Sequence, residues 1–109
     1  MFLKIADELL NYQNLQYFEF EENTLSIYFN GNVGSKIKQN ENEFLNFIEL
    51  IKKNENIIIL NDNKIGINLI NVSGISNEDK ILSIYFIDGS KKIFKSLNFK
   101  DIEKQILGE

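Results

Sequence analysis

Most of this chain alternates apolar and polar residues with a period of two, and the alternating runs stop at Glu22-Asn23, Asn30-Gly31 and Asp88-Gly89. Such a pattern builds antiparallel strands. Side chains of a strand point alternately to its two faces, and Asn-Gly or Asp-Gly pairs supply the positive φ of tight hairpin turns. The strands expected on this basis are Leu15 to Glu21, Thr24 to Phe29 and a shorter one at about Val33 to Lys38. Further along come Ile57 to Leu60, Lys64 to Val72, Ile81 to Ile87 and Lys91 to Leu97. Phe18 and Phe20 share one face of the first, and Leu25, Ile27 and Phe29 point together on the second. Ile57-Ile58-Ile59-Leu60 is apolar on both faces and reads as an interior strand. Ser73 to Asp79 reads as a polar loop.

Three segments follow a helical period instead. Phe2, Ile5, Leu9 and Tyr12 predict a helix over Phe2 to Asn11. The second helix begins at an Asn40/Glu43 capping box and carries Phe44, Phe47, Ile48 and Ile51 as one stripe. The third runs from about Phe99 to Leu107, capped by Asn98 and Asp101 and closed by Gly108. The expected fold class is α+β: a mainly antiparallel sheet of six to seven strands, in two or three hairpins, with three helices in the order α-β-β-(β)-α-β-β-β-β-α. A length of 109 residues and the absence of a linker-like stretch fit a single domain over residues 1–109.

The pentapeptide Leu-Ser-Ile-Tyr-Phe occurs at Leu25–Phe29 and again at Leu82–Phe86. A glycine turn, a Gly-Ser-Lys step and a capped amphipathic helix follow each copy. Either the chain holds two related strand–hairpin–helix units, or a biased alphabet has produced the same strand twice. The abundance of Ile, Asn and Lys is what an AT-rich genome, bacterial or phage, would encode, so the asparagines carry little functional weight.

Missing residue types limit the chemistry. There is no cysteine and no histidine, which removes thiolate nucleophiles, the usual general base near neutral pH and the commonest transition-metal ligand. All 12 basic residues are lysine, so no guanidinium fork is present for phosphate or guanine. The expectation is a non-enzymatic protein without cofactor or metal. The first residues lack a basic leader region and no apolar run would span a bilayer, so no membrane association and a cytoplasmic location are expected. A net charge of −4 argues against nucleic acid as the partner.

The candidate contact residues are Tyr17, Tyr28 and Tyr85, with Glu19, Glu21 and Glu22 at the first hairpin tip. The tyrosine face is unusually apolar for a sheet with one wet side. It could be buried by the sheet curling on itself, form a homodimer seam, or serve as a recognition surface. Lys91, Lys92 and Lys95, near Lys100 and Lys104, make the one basic cluster, and lysines on an edge strand also deter aggregation. The reading favoured by these features is a small acidic protein-binding domain. It would be an inhibitor or neutraliser of toxin-immunity or phage anti-defence type, meeting a protein with a basic surface. The alternative is a nucleic-acid or small-ligand binding module using the sheet face and the lysine-rich strand.

Overall fold

A computed structural model describes residues 2–5 and 7–108. Ten strands, two helices and two single turns of 3-10 helix follow in the order β1 (Phe2–Ile5), β2 (Glu8–Asn11), a 3-10 turn (Tyr12–Asn14), β3 (Leu15–Glu21), β4 (Thr24–Phe29), β5 (Val33–Lys38), α1 (Glu41–Ile51), β6 (Ile57–Leu60), β7 (Ile65–Asn68), a 3-10 turn (Leu69–Asn71), β8 (Val72–Glu78), β9 (Ile81–Phe86), β10 (Lys91–Phe94) and α2 (Phe99–Leu107). All strand pairs are antiparallel.

The strands form three sheets rather than one: β1-β2, a central β5-β4-β3-β7-β6, and β10-β9-β8. Alternation gives the central sheet two apolar faces, and each is covered. Phe18, Phe20, Leu25 and Ile27 meet Phe44, Phe47, Ile48 and Ile51 of α1 and Ile5 of β1. Tyr17, Ile58, Leu60, Ile65 and Ile67 meet Leu82, Ile84, Phe86 and Phe94 of the three-stranded sheet and Ile102 of α2. The chain is therefore three layers deep, with two cores.

Two expectations are corrected here. The helix placed at Phe2 to Asn11 is the β1-β2 hairpin, leaving two helices. Strands of four residues are too short for period two to separate from helical spacing, and Phe2 and Leu9 are in fact exposed. The loop placed at Ser73 to Asp79 is largely strand β8. It reads polar because it is a sheet edge, with only β9 beside it.

The second half of the chain repeats the first in register. The pairs Leu15↔Phe29, Tyr17↔Tyr28, Phe18↔Ile27 and Glu21↔Thr24 of β3-β4 recur in β8-β9 as Val72↔Phe86, Gly74↔Tyr85, Ile75↔Ile84 and Glu78↔Ile81. The same β-bulge follows the first pair in each. The hairpin turns match as well, with positive φ at Glu22 and Asn23 and at Asp79 and Lys80. Asn11 and Asn68 cap equivalent 3-10 turns. The repeated pentapeptide occupies β4 and β9, equivalent strands of the two units.

The halves are joined in two ways. Strand β7 of the second pairs with β3 of the first, through Tyr17↔Ile67, Phe18↔Gly66 and Glu19↔Ile65. The two 3-10 turns also meet. Buried Asn68 donates to the carbonyls of Tyr12 and Leu15 at 3.0 Å each. Buried Asn71 donates to those of Gln13 and Leu15 and accepts from the Asn30 amide at 2.9 Å. Amide side chains suit this position because they satisfy buried carbonyls that no strand partner reaches.

Candidate functional site

The three-stranded sheet covers β3, β7 and β6 but stops short of β5. The β4-β5 half of that central-sheet face is left open as a shelf bounded by β10. Tyr17 lies under the cover and is 7% exposed. Its ring stacks on Tyr28 at 4.5 Å between centroids and 18° between planes, and on Phe86 at 5.7 Å and 19°. Phe94 meets it edge-on at 5.4 Å. Burial first, then Tyr28 and Glu19, push the Tyr17 hydroxyl well above its ordinary titration range. Tyr28 is half-buried at the end of this stack. Opposite it on β5 is Gly34, where a Cβ would lie 3.3 Å from Tyr28 Cδ1. A cleft of about 250 Å³ opens there, its walls including Tyr28, Asn32, Gly34, Ser90, Lys91 and Lys92.

The three tyrosines thus do not form one surface. Tyr17 is core and Tyr28 lines the cleft, while Tyr85 faces outward on the far side of the three-stranded sheet, 41% exposed. The chain's own second sheet, rather than a dimer partner, buries the Tyr17 face. Glu19 is half-buried and pairs with Lys92 at 3.5 Å. Glu21 and Glu22 are exposed at the hairpin tip, where they line a second cleft with Glu19 and Glu41.

The lysines divide by strand alternation. On β10, Lys92 points inward, with its ammonium 5.7 Å from the Tyr17 ring centroid. Lys91 and Ile93 point outward, and Lys91 lies 5.9 Å from the ring of Tyr85. Lys95, just past the strand, and Lys100, in the first turn of α2, are exposed. Across the cleft, Lys36 of β5 is exposed on the same face as Gly34. Lys92–Glu19 is the one ion pair among the described residues. The segment Lys91–Lys100 holds four lysines and no carboxylate. Lys38 and Lys104 differ, since each shares a cleft with acidic side chains, Glu22 and Glu43 or Asp62 and Asp101.

One carboxylate clasps the two halves beside the cleft. Asp88 accepts from the Ser90 hydroxyl at 2.6 Å and the Ser90 amide at 2.9 Å. It also accepts from the Gly31 amide at 2.8 Å and the Gln16 side chain at 2.9 Å. These bonds, led by the Ser90 hydroxyl, lower its pKa from 3.8 to about 2. A depressed folded-state value means that the stabilisation is complete above the unfolded value and lost as pH falls through the folded one. The melting temperature should therefore decline as pH drops from about 4 to about 2, and more shallowly in Asp88→Asn, by thermal denaturation across that range.

Among the described residues, no cluster of three or more carboxylates is placed to hold a metal ion, and no helix is long and apolar enough to cross a membrane. Gly34 and Lys36 were not singled out by the sequence reading as contact residues. The Asn30-Gly31 hairpin carried the needed signal, because its register sets Gly34 opposite Tyr28.

The class defined by this architecture is a central antiparallel sheet with a smaller sheet and a helix against each of its faces. No family model and no curated protein matches the sequence. A solved structure shares the fold: the LytTr DNA-binding domain of a methyl-accepting/DNA response regulator from Bacillus cereus. It aligns with a TM-score of 0.64 at 13% identity, over 100% of this chain and 96% of that one. This overturns the expectation of an inhibitor of toxin-immunity or anti-defence type, with a basic protein as partner and nucleic acid disfavoured. The shared architecture is that of a domain described as DNA-binding. The error came from treating net charge as if it were spread evenly. The acidic total of −4 conceals a run of lysines, Lys91–Lys100, that contains no carboxylate and of which Lys92 alone is paired, and the local field governs contact with a polyanion.

Proposed function

We propose that the chain is a non-enzymatic nucleic-acid-binding domain of a cytoplasmic protein, that its 109 residues act as one domain, and that its ligand is duplex DNA. The observation that carries this is the exposed lysine run along the outer side of β10 and into α2, on a fold shared with a DNA-binding domain. Lys91, Lys95 and Lys100 would meet phosphates; the Lys91 ammonium lies 5.9 Å from the Tyr85 ring centroid on this outer side. Lysine is a point charge without the planar fork that reads guanine, so phosphate contact supplies most of the attraction and sequence discrimination is modest.

The test is fluorescence anisotropy of a labelled duplex across a salt series. Three phosphate contacts predict that log K falls with log salt at a slope of about −2.7. A flat titration at low salt would remove the proposal. The competing use of these lysines, to keep the β10 edge from pairing with other chains, predicts instead that neutralising them causes aggregation without changing DNA affinity.

A further inference from the structure

The cleft beside Tyr28 is an unfinished aromatic stack. Phe86, Tyr17 and Tyr28 lie nearly parallel in sequence, with 5.7 Å and 4.5 Å between successive centroids. The stack ends at Tyr28. The position that would cover that ring from β5 is Gly34, which has no side chain to do so. Gly34 carries no positive φ, so backbone conformation does not demand a glycine there. Its effect is to leave the ring bordering the cleft of about 250 Å³.

Cationic groups flank this opening on both sides. Lys36 is two residues along the same face of β5 from Gly34, exposed and outside any ion pair among the described residues. Lys91 stands at the rim of the opposite wall, likewise outside any such pair; its ammonium rests near the outward Tyr85 ring and would swing round the β10 edge to meet a phosphate in the cleft. Lys92 is already held by Glu19, and Asp88 has its oxygens occupied by Ser90, Gly31 and Gln16. Neither is free to dominate the site. The groups that remain are a flat aromatic face and two lysines.

We infer that this cleft binds a single nucleotide, its base stacked on Tyr28 and its phosphate between Lys36 and Lys91. Base-on-tyrosine stacking tolerates any base, because every base has a π face, and flanking lysines track the phosphate. The nucleotide could be free or an unpaired residue of a single strand, and the chemistry is the same. The site shares Lys91 with the duplex surface but not Lys95 or Lys100, so changes at those two residues test duplex binding without touching it, and changes at Tyr28, Gly34 and Lys36 test the cleft alone.

The experiment is a titration followed by amide chemical shifts on the intact chain, with dAMP, deoxyadenosine and a short oligodeoxyadenylate as probes. Shifts should concentrate at Tyr28, Gly34, Lys36 and Lys91, and deoxyadenosine should bind about tenfold more weakly than dAMP. Gly34→Val, which lays a side chain over the Tyr28 ring, should weaken dAMP about tenfold with the melting temperature retained. Tyr28→Phe should keep binding while Tyr28→Ser loses it. Lys36→Gln with Lys91→Gln should erase the preference for dAMP over deoxyadenosine. An oligomer binding no tighter than dAMP would assign the site to a free nucleotide, and one binding much tighter would assign it to a single strand. Shifts lying elsewhere, or equal dAMP affinity in a folded Gly34→Val, would overturn the inference.

Discussion

Reversing Lys95 and Lys100 to glutamate should weaken duplex binding about 200-fold at roughly 50 mM salt, and lower the steepness of the salt dependence by about 1.8. The magnitude follows from counterion release. Each phosphate contact changes affinity with the 0.9 power of salt, so between about 1 M and 50 mM it is worth roughly 15-fold, and two are worth the product. Both residues are exposed and belong to neither core, so the fold should tolerate the change. The readout is anisotropy of a labelled duplex over a salt series, with circular dichroism as the control for folding. An unchanged salt slope in the folded variant would place the DNA elsewhere. Lys91 is left intact in this variant, which keeps the result separate from nucleotide binding in the Tyr28 cleft.

The largest effect on stability is expected from Gly66→Ala. Gly66 of β7 sits directly opposite Phe18 of β3. A Cβ there would overlap Cε2 and Cζ of the Phe18 ring and lie 2.9 Å from Cδ2. The ring cannot retreat easily. It is fully buried, and Phe47 meets it edge-on at 4.9 Å and Phe44 at 6.4 Å. Overpacking of this kind costs about 3 kcal/mol, the upper part of its usual range, because the strand pairing and the α1 core would both have to shift. Chemical denaturation would measure it. Combining Gly66→Ala with Phe18→Leu should cost less than the sum of the two single changes, since the smaller side chain vacates the space that the new methyl group needs. Simple additivity would mean that the contact is not the cause.

Much of the local structure was legible. Period-two alternation located β3, β4, β9 and β10, the apolar run Ile57–Leu60 marked β6, which is the outer strand of its sheet rather than an interior one, and the Asn40/Glu43 capping box appears as expected, with both reciprocal hydrogen bonds formed. Gly108 ends α2 in the left-handed conformation. What could not be read was how strands combine into layers. Ile65 and Ile67 mark β7 as a strand, but nothing local says that it leaves its own half of the chain to pair with β3. Without that pairing, the burial of Tyr17 could not be deduced, and Tyr17, Tyr28 and Tyr85 looked like one surface. The β1-β2 hairpin was missed for a different reason. Its strands are four residues long, and Phe2 and Leu9, which suggested a helical stripe, face solvent. The lysine cluster was visible in the sequence but was outweighed there by the total charge, a quantity that ignores where the charges lie.

The pairing of β7 with β3 also bears on how this chain reaches its native state. Tyr17 must wait for Ile67, and Phe18 for Gly66, so the central sheet cannot close until residues from both halves have been made. Contacts between distant segments cost loop entropy before they return any stability, which slows folding. A fragment ending near the α1–β6 connection would leave the edge of β3 unpaired and Tyr17 uncovered. Although the two halves share one pattern of strand pairing, neither is equipped to fold alone. The first half on its own would be prone to aggregate through the β3 edge.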